Sequence, residues 1–169
     1  MSGLLQAFVE GFLNPWLTPA HVLTLLALAL CVGQQKRRGA ALFIFALALA
    51  VGFLAIVLAV ETTPARMVLL ADAAVLGVMA AAAWAPKPLV WLLAATAGTA
   101  LALDSPPQAV TIAAAYATIA GTAVGACAML VAVATVASYA NADWQRLGLR
   151  IVGSWIAASA ILVLAVQLR

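Results

Sequence analysis

Residues 40–60 read AALFIFALALAVGFLAIVLAV, 21 consecutive positions without a charge or a strongly polar side chain. A bilayer-spanning helix needs about 20 mainly apolar residues, and this stretch meets that requirement alone. Working outward from it, comparable runs occupy about 19–33, 67–84, 89–103, 109–140 and 151–168. Hydrophobic residues make up 67% of the 169 positions and charged residues 8%. A water-soluble domain of this size could not cover its surface with so little polar material. The expected fold class is all-α: a six-transmembrane-helix bundle forming one integral membrane domain over residues 1–169, with the lipid bilayer as its main partner.

The first segment reads as broken, re-entrant or amphipathic. Leu4 to Leu13 is a short amphipathic stretch carrying Glu10, and Asn14-Pro15 interrupts it. Thr18-Pro19 reads as an N-cap followed by proline at the first helical position. The start, Met1-Ser2-Gly3-Leu4-Leu5-Gln6, has no basic n-region, so the first span is expected to be retained rather than cleaved. Asn141 to Arg150 reads as the connection into the last span. The formal charge of +3 is scattered over connecting segments, which reports membrane orientation rather than affinity for nucleic acid. Placing Lys36, Arg37 and Arg38 in the cytoplasm places Lys87, Arg146 and Arg150 there too, against Arg66 and Arg169 outside. The expected location is the bacterial inner membrane, multi-pass, with both termini outside the cytoplasm. Trp84, Trp91 and Trp144 then lie near the cytoplasmic boundary.

Cys31 and Cys127 both sit inside apolar runs with no CxxC spacing, which reads as two small buried hydrophobes. The ionisable residues inside lipid-depth segments are the informative exceptions. Asp72 lies one to two turns inside its span, and His21 lies near the start of the first. Asp104, Asn14, Glu61 and Thr96 fall at a similar depth, so a polar vestibule opening outward is expected. Imidazole with carboxylates suits a cation or proton site. The alternative is structural: Asp72 braces a neighbouring helix, and His21 hydrogen-bonds at the interface. Gly121 and Gly125 form a GxxxG pattern, which lets helices approach closely. Packing inside the bundle is the first reading there, with a second copy or another membrane subunit as the alternative. No P-loop, dinucleotide fingerprint or HExxH occurs, and there is one histidine; neither an enzyme nor a bound cofactor is expected.

The stretch Gly11-Phe12-Leu13-Asn14-Pro15-Trp16-Leu17-Thr18-Pro19-Ala20-His21-Val22-Leu23 resembles the opening motif of the hydrogenase/urease accessory membrane proteins, the HupE/UreJ family. That motif runs Gly-Phe-x-His-Pro-x-x-Gly-x-Asp-His-Leu-Leu. Gly11, Phe12, Pro15 and His21 match it, while Asn14, Thr18 and Ala20 stand where it has histidine, glycine and aspartate. Ala97 to Asp104 resembles a second motif, His-Gly-x-Ala-His-Gly-x-Glu. Gly98 and Ala100 are kept, Asp104 replaces the glutamate, and both histidines are gone. The resemblance implies facilitated passage of nickel or cobalt as transported ions. His21, Asp72 and Asp104 would be the metal ligands, and Asn14, Pro15, Thr96 and Gly98 the pathway or motif positions. Asp72 is outside the family pattern and enters as a compensating carboxylate. With so few ligands kept, two alternatives stand: a non-transporting accessory subunit of a larger membrane complex, or a carrier for a small neutral solute.

Overall fold

A computed structural model describes residues 2–35, 37–58, 65–107 and 111–167. Among these the chain is all helical: α1 (Ser2–Leu17), α2 (Pro19–Gly33), α3 (Gly39–Val57), α4 (Ala65–Ala82), α5 (Lys87–Leu103), α6 (Ile112–Ser138) and α7 (Asp143–Gln167). By length and hydropathy α3, α4, α6 and α7 can each cross a membrane. The α1–α2 pair, bent by 69°, makes a fifth candidate if taken as one span. The protein is a multi-pass membrane protein. The count differs from six because α2 and α5 are only 15 and 17 residues long, about 22 and 25 Å at 1.5 Å per residue.

Three tightly packed helix pairs build the bundle, α1 with α6, α3 with α5 and α4 with α7. Glycines let the backbones touch in each. A Cβ on Gly77 would lie 2.8 Å from the Gly153 carbonyl oxygen, and one on Gly153 would lie 3.0 Å from that of Gly77. Gly98 likewise faces the Phe45 carbonyl of α3, and Gly52 faces Thr99 of α5. In lipid, where apolar burial does not drive helices together, such close approach supplies the dispersion contact that does. The short helix α2 is the hub. Eleven of its 15 residues are buried, as expected for a helix apolar all round, and it packs against α4 and α6.

The N-terminal break falls later than expected. Asn14-Pro15 does not interrupt α1, which runs on to Leu17 with Pro15 inside it. The chain leaves the helix at Thr18 (φ −87°, ψ 115°), because Pro19 disfavours helical backbone in the residue before it. Thr18 is the N-cap of α2, but its hydroxyl makes no capping bond and donates instead to Asn14 Oδ1 at 3.1 Å. At the other end of the chain, the expected connection 141–150 is mostly helix, since α7 already begins at Asp143. Gln145 Oε1 accepts the Asn141 and Ala142 amides, both at 3.0 Å, and so satisfies donors that the helix start leaves free.

Gly121 and Gly125 of α6 lie against the carbonyls of Phe8 and Phe12 of α1. The register advances by four residues on both helices, so they run parallel. Gly33 of α2 meets Ala134 and Ala137 further along α6. The bent pair therefore follows α6 in two steps, α1 on its first half and α2 on its second.

Candidate functional site

On α1 the residues Gln6, Glu10 and Asn14 recur every fourth position, one helix face by the 3.6-residue period. Thr18 extends that line. These side chains form one wall of a cavity of about 610 Å³, closed on the other side by Arg66, Asp104 and Ser105. Leu5, Val9 and Leu13 on the remaining face are exposed, as suits contact with lipid. The stripe holds itself in place. Gln6 Nε2 donates to Glu10 Oε1 at 3.0 Å, and Asn14 Nδ2 donates to Ser105 Oγ at 3.1 Å.

Behind Asp104 stands His21, 1% exposed. Its Nε2 lies 3.0 Å from Asp104 Oδ2, and Arg66 Nε approaches the same oxygen at 3.6 Å. Asp104 follows directly on the last residue of α5, which places its carboxylate at the mouth of the bundle. Burial alone would raise its pKa. The hydrogen bond and charge of His21, then those of Arg66, outweigh that effect and hold it below the ordinary carboxylate range. With an ionised carboxylate as acceptor, Nε2 carries a proton and donates it to Asp104. The ring's Nδ1 is buried with no hydrogen-bond partner among the described residues.

The expected vestibule is only partly assembled from the expected residues. His21, Asp104 and Asn14 gather at one end of the bundle. Asp72 does not join them: it is buried in α4, where its Oδ2 accepts a 2.8 Å bond from Thr96 of α5. Neither residue lines the cavity, and Glu61 lies outside the described residues. Among the described residues no group of three His, Cys, Asp or Glu is placed to hold a metal ion, so His21, Asp72 and Asp104 form no common ligand set. Gly98 and Pro15 act in packing, Gly98 against α3 and Pro15 buried within α1.

No family model, curated protein or solved structure matches the chain.

The geometry must therefore carry the functional argument. Gln6, Glu10, Arg66 and Ser105 are the site residues that reading the sequence for lipid-depth charges missed. The four-residue spacing of Gln6, Glu10 and Asn14 was the available signal. Arg66 and Ser105 carried none, because each reaches the cavity from the end of a different helix.

Proposed function

We propose that this protein is a HupE/UreJ-like facilitator that passes a small divalent cation, nickel or cobalt by family analogy, through the bacterial inner membrane. The observation that carries the reading is the part-buried His21–Asp104 pair at 3.0 Å. It joins the two stretches that resemble the family's motifs, 83 residues apart in sequence, at the floor of a polar cavity. An imidazole beside a carboxylate suits a borderline divalent ion, and two such ligands would hold it loosely enough to release it.

The chemistry follows from charge exchange at Asp104. Arg66 is more than half exposed, so it can swing away while an incoming cation takes its place on the carboxylate. Glu10 adds a second negative charge to the cavity wall and attracts the ion in. Asp72 lies six residues further along α4 than Arg66, about 9 Å deeper by the helical rise, and offers the next carboxylate on the way through. Six crossings, α2 through α7, fit this reading. Helix α2 runs from its N-cap Thr18 at the cavity described above to Gly33 at a second one, and α5 starts four residues after Ala83 of that second cavity and ends beside Asp104 of the first. The distribution of basic residues favours both termini outside the cytoplasm.

Uptake of radioactive nickel and cobalt by cells lacking their own transporters tests this. Wild-type protein should raise uptake above empty-vector cells. His21→Ala and Asp104→Asn should each lower it at least tenfold at equal membrane abundance, the scale of losing a charge-assisted contact. Background uptake by correctly inserted wild-type protein would overturn the reading and favour an accessory subunit.

A further inference from the structure

The second cavity, about 490 Å³, lies at the opposite end of the bundle from Asp104 and takes no part in the function proposed above. Arg38 from the start of α3 and Arg146 and Arg150 from the first turns of α7 line it, together with Gln34, Gln35 and Asn141. No Asp or Glu lines it, and none of the three arginines is ion-paired among the described residues. Three guanidinium groups around one half-open cavity give it a net positive charge with no acidic side chain to balance it.

A structural role for the arginines accounts for little of this. Arg150 Nε donates to the Ala81 carbonyl at 2.8 Å, which uses one of its five N–H donors. The helix ends around the cavity are otherwise capped by backbone or, at the start of α7, by the Gln145 side chain. Gln34 N donates to Leu30 O, Trp84 N to Met79 O and Tyr139 N to Val136 O. Gln35 adds an independent observation. It is 8% exposed, and neither its amide nitrogen nor its amide oxygen has a partner among the described residues. A buried amide with both ends unsatisfied is costly and sits here beside an excess of positive charge.

Planar guanidinium forks and amide N–H groups together match the oxygens of a phosphate. The surroundings locate the cavity at headgroup level. Trp84, Tyr139 and Trp144 are exposed at this end, next to or near the lining residues Ala83, Ala140 and Arg146, and such aromatics favour the membrane–water boundary. We propose that this cavity binds a phosphate group, supplied either by an anionic phospholipid headgroup or by a soluble phosphate anion.

Full-length protein in detergent micelles would be equilibrated with equal amounts of phosphatidylglycerol and phosphatidylcholine of matched chains, and the bound lipid counted by native mass spectrometry. A phosphorus-31 NMR titration with inorganic phosphate covers the soluble source. Arg38→Gln and Arg146→Gln should each weaken binding about tenfold, and Gln35→Leu, which alters no charge, severalfold. Arg37→Gln removes the same charge from an exposed position outside the cavity and should change little. Selective retention of phosphatidylglycerol with these losses identifies the headgroup. Binding of inorganic phosphate without lipid preference, and with the same losses, identifies the soluble anion. Absence of both, or an Arg37→Gln effect equal to that of Arg38→Gln, overturns the proposal.

Discussion

Gly121→Ala and Gly148→Ala make the same chemical change inside two long helices and should move stability in opposite directions. At Gly121 an added Cβ would lie 2.8 Å from the Phe12 amide nitrogen and 3.0 Å from the Phe8 carbonyl carbon, with the Phe8 oxygen closer still. Ordinary contacts of this kind run from 3.4 to 4 Å, and all three atoms are backbone, so α1 as a whole must retreat by the better part of an ångström. Overpacking of this sort costs about 1–3 kcal/mol, against a gain of about 1 kcal/mol for alanine over glycine within a helix. At Gly148 an added Cβ meets nothing within 4 Å, so the gain of about 1 kcal/mol stands alone. Thermal unfolding of both variants in one detergent reads the difference. The position of α1 can be read separately by oxidative cross-linking of Asn14→Cys with Ser105→Cys, positions that hydrogen-bond at 3.1 Å, in a background with Cys31→Ala and Cys127→Ala. Gly121→Ala should lower both the midpoint and the cross-linking yield. If it matched Gly148→Ala in both, α1 would not be seated on α6, and the cavity described here would lose one wall.

Three further outcomes are expected. Ala83 holds a left-handed backbone (φ 52°) just past α4, where Trp84 N bonds to Met79 O in the manner of a helix C-cap that favours glycine; Ala83→Gly should stabilise the protein by about 1 kcal/mol in thermal unfolding. Thr96→Val removes the 2.8 Å donor to the buried Asp72 and should destabilise by about 1–3 kcal/mol, whereas Thr96→Ser keeps the hydroxyl and should cost less. The pKa of Asp104 is lower folded than unfolded, so its pairing contributes stability above the unfolded value of about 3.9 and loses it as pH falls through the folded one. A plot of unfolding midpoint against pH should therefore fall more steeply at the acid end for wild type than for Asp104→Asn.

The helical membrane class was legible because it follows from composition and run length, quantities that tertiary contacts do not alter. Boundaries were less so. Pro15 reads as an interruption by its lack of an amide, yet α1 continues through it, and the break waits for Thr18 before Pro19. The GxxxG spacing of Gly121 and Gly125 announced a close approach, but only the packed structure names α1 as the helix that approaches. Gly98, read as a motif position, turns out to face the backbone of α3. Hydropathy alone gives α2 and α5 the same standing as longer helices, whereas by length and composition together four or five spans qualify.

By itself, the sequence determined that this chain is a bundle of helices in lipid, and it singled out His21, Asp72 and Asp104 as ionisable side chains in or beside its lipid-depth segments. Which of those side chains meet was left to tertiary structure. His21 and Asp104 come together because α2 starts at the same end of the bundle where α5 stops. Asp72 is kept apart because its helical position turns it toward Thr96 of α5. The three-arginine cavity is likewise a product of assembly, its charges arriving from the starts of α3 and α7. Local sequence sets what each helix can bury. Only the packing of one helix on another decides which polar groups remain to face each other.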